Sequence, residues 1–157
     1  MEILITGIIA GVLGTILMDL SNLLLARTNI VTKIDIKMIG RMSAGWSRWR
    51  FFYYHPSEIQ PVKNEKLFGY ISHYLIGVFL SLIFMFGWDS IVGGPVSAIW
   101  VFVYGTATTV VSLFFVYPSL GLGIAGMQST EGIKNPVSSI ANHTFFGAGM
   151  AIAVLIL

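Results

Sequence analysis

The chain has 157 residues, of which 55 % are hydrophobic and only 10 % are charged, with a formal net charge of +2. A soluble domain usually carries about a quarter charged residues, so this composition excludes a soluble globular protein and indicates a membrane protein. The absence of cysteine from the sequence excludes disulfides, thiolate nucleophiles and cysteine metal sites. We expect one all-α integral membrane domain, residues 1–157.

Four apolar segments are each close to the ~20 residues that a helix needs to cross a bilayer. They cover residues 3–26, 67–88, 96–117 and 138–157. The first segment lacks the basic start and the cleavage site of a signal peptide, so we interpret it as a retained span. The sequence therefore predicts a four-transmembrane-helix bundle.

Basic residues are concentrated in the loop between the first two spans. Eight of the nine Lys and Arg residues lie within 27–66, and the ninth, Lys134, lies in the third loop, 118–137. Lys and Arg mark the cytoplasmic side of membrane proteins. We therefore expect both loops to be cytoplasmic and the N- and C-termini to be periplasmic.

The first loop carries the pattern of an amphipathic helix. Thr32-x-x-Asp35 has the form of a helix-start capping box. Lys33, Lys37 and Arg41 then fall on one helical stripe. Basic amphipathic helices are typical of segments that lie on an anionic membrane surface. We expect an interfacial helix whose three basic residues face the membrane surface.

The segment 46–54 then interleaves aromatic residues with Arg48 and Arg50. Such a pattern can bind single-stranded nucleic acid by stacking. Beside membrane spans, however, it is typical of an interfacial aromatic belt with basic anchors. We therefore expect the lipid bilayer, and no nucleic acid, as the partner of this segment.

Small residues recur at every fourth position in the spans, where they allow helix backbones to approach closely. They include Gly7 and Gly11 in the first span, Gly77 in the second and Gly147 in the fourth. We interpret these glycines as helix-packing positions. Such stripes would also permit a homodimer.

The two halves of the chain resemble each other faintly. HYLIG at 73–77 corresponds to HTFFG at 143–147, whereas Val110 stands where Asp19 would have its counterpart. With the expected topology this would be a parallel repeat about an axis along the membrane normal, a plan known from transporters. The match covers a handful of residues, so chance remains an alternative.

Three ionisable residues lie well inside the spans: Asp19, His73 and His143. At a rise of 1.5 Å per residue, each is ~8–10 Å from the predicted cytoplasmic end of its span. Mutual pairing is the economical way to bury a carboxylate and imidazoles in a membrane. We expect these three residues to form a polar site, with Asn22 and Asn142 as amide neighbours.

The third loop is apolar, rich in glycine and bounded by prolines. Pro118, Gly121 and Gly123 suit a tight, non-helical backbone at its start. Irregular backbone at membrane depth is tolerated only where it is buried or lines a cavity. We expect this loop to dip back toward the polar site.

Three uses of the polar site remain open. The first is a cytoplasm-facing cavity that handles a proton, a cation or a small solute. The second is a structural clasp that serves only helix packing. The third is a divalent-metal site of a membrane enzyme, with Asp19, His73 and His143 as ligands.

The metal site is the least supported of these three uses. The sequence contains no HExxH, no GxSxG and no phosphate-binding glycine loop with Lys. Neither His73 nor His143 has a second His at helical ligand spacing. We therefore expect neither an enzyme nor a cofactor.

Five motifs follow one another along nearly the whole chain: MDL at 18–20, IGR at 39–41, HYLIG at 73–77, PSLGLGIA at 118–125 and NHTFFGAG at 142–149. Together they resemble a family of small bacterial inner-membrane proteins, domain of unknown function 2938. The family pattern has Thr before the motif histidine, where this chain has Asn142, and the match in the first loop is looser. The resemblance implies a bacterial, four-span inner-membrane protein, and it implies no activity or ligand.

Overall fold

The computed structural model describes residues 2–157, and every regular element in that part of the chain is helical. The main helices are α1 (Glu2–Leu25), α2 (Ile36–Trp46), α3 (Glu65–Ile91), α4 (Ala98–Ser119) and α5 (Lys134–Ile156). Helices α1, α3, α4 and α5 are each long and apolar enough to span a membrane. The predicted all-α bundle of four spanning helices is confirmed.

Helix α2 begins later than the capping-box pattern predicts. Its N-cap is Asp35, whose carboxylate accepts hydrogen bonds from the backbone N–H groups of Lys37 and Met38. Thr32 does not cap the helix, because its hydroxyl lies against α5, 3.1 Å from Ser138 Oγ and 3.4 Å from Asn135 Oδ1. The prediction of Thr32 as the capping residue was wrong, since a contact with a distant helix holds that residue.

Helix α5 begins earlier than the apolar segment predicts, at Lys134. Pro136 lies in its first turn. At that place the missing N–H of proline would have no partner within the helix anyway, so the proline does not delay the helix.

The helices are arranged around α1. Helix α1 packs against α3 on one side and α5 on the other, α4 packs against α5, and α2 packs against α3. Helices α3 and α4 have few contacts; they meet at Tyr104 of α4, whose hydroxyl donates to the Leu80 carbonyl at 2.9 Å and whose ring packs on Phe84. Toward the loop end, space is left between them.

Glycines allow the closest approach of α1 and α3. A Cβ added at Gly11 would lie 2.5 Å from Cα of Val78, and one added at Gly7 would lie 2.6 Å from Cδ2 of Leu82. Gly77 of α3 faces the side chain of Thr15 in the same contact. The predicted packing glycines of this helix pair therefore lie in its contact.

The same contact recurs between α4 and α5. Gly147 of α5 packs against the backbone of Phe102 and Thr106 in α4, as Gly77 packs against Gly11 and Thr15 in α1. The HYLIG and HTFFG motifs thus bring their glycines against corresponding turns of the preceding span. The weak sequence repeat corresponds to a repeated local contact.

Helix α4 is irregular in its second half. It runs as a regular α-helix over Ala98–Ala107 and contains a π-helical turn over Ser112–Val116. Turns of this kind insert an extra residue into the helix and occur frequently at functional sites. Here the turn lies beside the cavity described below, and both Ser112 and Val116 line it.

Helix α2 packs directly on the loop-side half of α3. Gly40 of α2 faces the backbone of Glu65, and Gly69 of α3 faces the backbone of Ile36. A side chain at either glycine would therefore meet backbone atoms of the partner helix. Met42 on the covered face of α2 is fully buried.

An ion pair also joins α2 to α3. Arg41 donates from Nε and Nη2 to the two carboxylate oxygens of Glu65, at 2.6 and 3.1 Å. The hydrogen bonds to Glu65 raise the pKa of Arg41 above its usual value. Lys37 Nζ is 3.6 Å from the same carboxylate. Lys37 and Arg41, two of the three basic residues predicted to share one face of the helix, therefore pair with Glu65 of α3.

Candidate functional site

A cavity of about 460 Å³ lies between the spanning helices, α2 and the two longer loops. Residues of both α3 and α4 line it, so it occupies the space that these helices leave between them. Its wall is mainly apolar and includes the buried residues Met18, Met42 and Phe146. A cavity of this size and character is typical of small-molecule sites, which measure roughly 300–1,000 Å³.

His73 lines the cavity from α3 and is held by Asp19 of α1. His73 Nε2 lies 3.0 Å from Asp19 Oδ1, and the Tyr74 hydroxyl donates to Asp19 Oδ2 at 3.3 Å. The carboxylate accepts from both groups, so the hydrogen of the His73 ring is on Nε2. His73 Nδ1 has no hydrogen-bond partner within residues 2–157.

His143 lines the cavity from α5 and is held by Thr108 of α4. His143 Nδ1 lies 2.8 Å from Thr108 Oγ1, and that hydroxyl donates to the Gly105 carbonyl at 2.5 Å. With the Thr108 hydroxyl donating to Gly105, the Nδ1–H tautomer of His143 donates to Thr108 Oγ1, and Nε2 keeps its lone pair. Nε2 makes no hydrogen bond to the described residues.

Hydroxyl groups complete the polar part of the cavity wall. Ser139 is 3 % exposed and lines the cavity, and its Oγ has no partner in the described part of the chain. Buried polar groups are nearly always hydrogen-bonded. Ser139 Oγ therefore keeps a hydrogen-bonding capacity that no described residue uses. Ser112, from the π-helical turn, lines the same space.

Asn22 and Asn142 form a cluster at the loop end of the bundle, and Asn142 also lines the cavity. Asn22 Nδ2 donates to Asn142 Oδ1 at 3.2 Å and to the Thr32 carbonyl at 2.9 Å. The backbone N–H of Ile34 donates to Asn22 Oδ1 at 3.0 Å, and that of Thr32 donates to Ser138 Oγ. We name the side chains of Asn22, Ser138 and Asn142 the amide clamp, because together they fix residues 32–34 of the first loop.

The third loop closes the loop end of the cavity. Leu120 and Leu122 line the cavity, and Gly121 is buried. Gly121 and Gly123 have φ values of 69° and 70°, a left-handed backbone that glycine adopts without strain. Pro118 lies in the last turn of α4, not in the loop.

The structure separates the three ionisable residues into two positions. His73 and His143 share the cavity wall, whereas Asp19 is not part of that wall and holds His73 from behind. Within residues 2–157 no three His, Cys, Asp or Glu side chains come together in a way that could hold a metal ion. The geometry therefore does not assemble the Asp–His–His ligand set.

Sequence reasoning missed two partners of the site, Tyr74 and Thr108. Helix α3 contains several aromatic residues, and the sequence does not show which of them contacts Asp19. Thr108 belongs to a row of small polar residues in α4 whose members cannot be told apart by local pattern. The rotation of each helix about its axis decides both contacts.

A family model with the description Protein of unknown function (DUF2938) matches residues 8–157. The match covers both longer loops, α3, α4, α5 and all but the first residues of α1. No curated protein and no solved structure matches the chain.

Proposed function

The chain belongs to the DUF2938 family of proteins of unknown function, and we propose that it binds a small solute in the cavity between His73 and His143. The observation that carries this proposal is that both imidazoles line one cavity, each anchored at one nitrogen only. An anchored ring has a defined orientation and tautomer. Its second nitrogen is then presented as a fixed hydrogen-bonding group.

The lining of the cavity favours an organic solute over a bare cation. Its wall is mainly apolar; the polar groups inside the bundle include His73 Nδ1, His143 Nε2 and several hydroxyls, and the charged residues of the lining, Lys33, Asp35 and Glu131, lie in the two loops. Hard cations prefer several oxygen ligands. The two carboxylates of the lining lie in the loops, where Asp35 caps α2 and Glu131 pairs with Lys134, and Asp19 is already engaged by His73 and Tyr74. The solute we infer has an apolar body and at least one N–H or O–H group that donates to an imidazole.

The Asp19–His73 pair adds a capacity for proton exchange. His73 Nδ1 can accept a proton from the solute, and the carboxylate on the other side of the ring balances the resulting positive charge. By the distribution of Lys and Arg, we infer that the loop end of the cavity faces the cytoplasm of a bacterial inner membrane.

A structural clasp is the second candidate function. It is favoured by the position of Asp19, which contacts His73 and Tyr74 outside the cavity wall. In that case the polar bonds would only fix the register of α1 against α3, and the cavity would be dry.

Thiol labelling distinguishes the two candidates, since the chain contains no native cysteine. We expect the thiol introduced by Ser139→Cys to react with N-ethylmaleimide in membrane vesicles. Ser81→Cys is the matched control, because Ser81 also has a buried hydroxyl without a partner but does not line the cavity. If the two thiols are equally unreactive toward N-ethylmaleimide, the cavity is dry, and this result would favour the structural clasp.

A second measurement concerns the solute itself. We expect native mass spectrometry of the protein, extracted in mild detergent, to detect a bound small molecule. Ser139→Phe should abolish that mass, because the ring would fill the cavity beside the imidazoles. Ser81→Cys should retain it. Retention of the mass by Ser139→Phe would place the molecule elsewhere on the protein and contradict the proposal.

A further inference from the structure

A second depression adjoins the loop end of the cavity, where α1 ends and α5 begins, and the two share Thr32, Lys33 and Glu131. It measures about 590 Å³, and its lining contains three basic residues, Arg27, Lys33 and Lys134. Arg27 lies in the 3-10 turn after α1, Lys33 in the first loop and Lys134 in the first turn of α5. Cations from three separate segments therefore converge on one place.

These cations are mostly free to bind an anion. Arg27 and Lys33 make no ion pair within residues 2–157, and both are exposed. Lys134 lies 3.4 Å from Glu131, the one acidic residue of the lining. The depression therefore keeps an excess of positive charge. The other members of the basic stripe, Lys37 and Arg41, lie outside it and pair with α3.

The amide clamp holds this arrangement in place. Asn22 binds the carbonyl of Thr32 and the N–H of Ile34, on either side of Lys33. Ser138 binds the N–H of Thr32 from α5, one turn after Lys134. The backbones that carry Lys33 and Lys134 are thus joined, so little ordering is needed when an anion binds.

We propose that this depression binds the headgroup of an anionic phospholipid. It lies at the end of a spanning helix, the level at which headgroups meet a membrane protein, and its lining includes Leu23, which is 47 % exposed on α1. A lipid phosphate can contact the three cations while its acyl chain lies against Leu23. Basic pockets between spanning helices are known to take such headgroups. The inference does not depend on the solute cavity.

Lipid titration followed by native mass spectrometry tests this site. The intact protein in neutral detergent is titrated with phosphatidylglycerol, with phosphatidylcholine of the same acyl chains, and with inorganic phosphate as competitor. We expect preferential binding of phosphatidylglycerol, weakened roughly fivefold for each charge removed by Arg27→Gln, Lys33→Gln and Lys134→Gln. Lys33→Arg, which retains the charge, should keep most of the affinity.

The matched control is the triple variant Arg48→Gln, Lys63→Gln, Lys66→Gln, which removes the same charge from exposed residues outside the depression. An equal loss of affinity in this control would show diffuse attraction and overturn the site. Equal binding of both lipids would also overturn it. Displacement of the lipid by millimolar inorganic phosphate would show a free-anion site instead. An unchanged unfolding midpoint in phosphatidylcholine verifies that each variant is folded.

Discussion

The two histidines occupy corresponding motif positions but have different anchors. A carboxylate holds His73, whereas the hydroxyl of Thr108 holds His143. The reason is visible in α4, where Val110 stands at the position that corresponds to Asp19 in α1. Only His73 therefore has an acidic partner that can balance a positive charge. The site is asymmetric, although the packing around it is repeated.

The Asp19–His73 bond can be measured by paired substitutions. We expect Asp19→Leu to lower the free energy of unfolding by about 1–3 kcal/mol, because it leaves the His73 Nε2–H without a partner. Asp19→Asn should lower it less, since its amide oxygen can still accept. Combining Asp19→Leu with His73→Leu should recover part of the loss, although couplings in membranes average only about 0.6 kcal/mol.

Unfolding in mixed micelles of a mild detergent and dodecyl sulfate provides these energies. The control pairs Asp19→Leu with His143→Leu, and it should show no recovery because His143 bonds to Thr108. A recovery of equal size in both double variants would contradict the pairing seen in the structure. If the Asp19–His73 pair also exchanges protons, the double variant Asp19→Leu, His73→Leu should be stable but should no longer perform the function of the native protein in cells.

A second test at this scale concerns the anchor of His143. We expect Thr108→Val, which keeps the shape of the side chain but removes the hydroxyl, to lower the free energy of unfolding by about 1–3 kcal/mol. Thr108→Ser retains the hydroxyl and should be closer to the native protein. The same micelle unfolding assay compares them. Equal stability of the Val and Ser variants would mean that His143 is not held by this bond.

Among the individual elements, α2 is the helix outside the four spanning helices that helps to form the cavity wall. It supplies cavity-lining residues, including Met38 and Met42, and it is fixed to α3 by a glycine crossing and by the Arg41–Glu65 ion pair. The ion pair is bidentate and part-buried, so it contributes more to the attachment than an exposed pair would. The glycine crossing and the ion pair should therefore both hold α2. How α2 meets the bilayer surface stays a prediction.

Two glycine substitutions in α3 test the crossing. Gly69→Ala places a Cβ against the backbone of Ile36 in α2, so we expect a loss of stability of about 1–3 kcal/mol as α2 is pushed away. Gly87→Ala is the matched control, because nothing lies within 4 Å of a Cβ added there. The control should be neutral or more stable by up to about 1 kcal/mol, since alanine favours helix.

The unfolding assay gives both values, and proteolysis of the first loop reports the attachment of α2 directly. Faster cleavage of the Gly69→Ala variant than of the Gly87→Ala variant is the expected result. Equal cleavage and equal stability would mean that the close approach of Gly40 and Gly69 is not what holds α2.

For the whole molecule, the order of the helices explains the cavity. Helix α1 lies between α3 and α5, and α4 packs mainly on α5. Because α3 and α4 meet at Tyr104 but separate toward the loop end, side chains from both can face one internal space. Helix α2 and the third loop then cover that space at the loop end. A bundle with four mutually packed helices would leave no comparable room.

Orientation in the membrane is a prediction about the whole molecule. We expect a reporter fused after Leu157 to be active only when it is a periplasmic reporter, and a tag inserted near Ser57 to be accessible from the cytoplasm. The reason is the concentration of Lys and Arg in the first loop. Paired alkaline phosphatase and green fluorescent protein fusions provide the measurement. The opposite pattern would place the cavity mouth and the basic depression on the periplasmic side.

Length and local spacing were enough to predict the spans and their closest contacts. Bilayer thickness sets the length of a spanning helix, so an apolar run identifies it without knowledge of its neighbours. Glycines such as Gly11 and Gly147 recur at helical spacing. A residue without a side chain allows two helix backbones to approach closely, whichever helices they are. The depth of Asp19, His73 and His143 follows from the helical rise alone.

Partners and enclosed space depended on the tertiary structure. Asp19 bonds to His73 and Tyr74, His143 bonds to Thr108, and Thr32 bonds to Ser138, each pair joining residues far apart in the chain. Residues at equal depth can pair only if their helices are neighbours and turned toward each other. All packing contacts together determine the order of the helices and the rotation of each about its axis. A local sequence pattern therefore cannot predict them. The cavity exists for the same reason, because it is the space left where α3 and α4 separate beyond their contact at Tyr104.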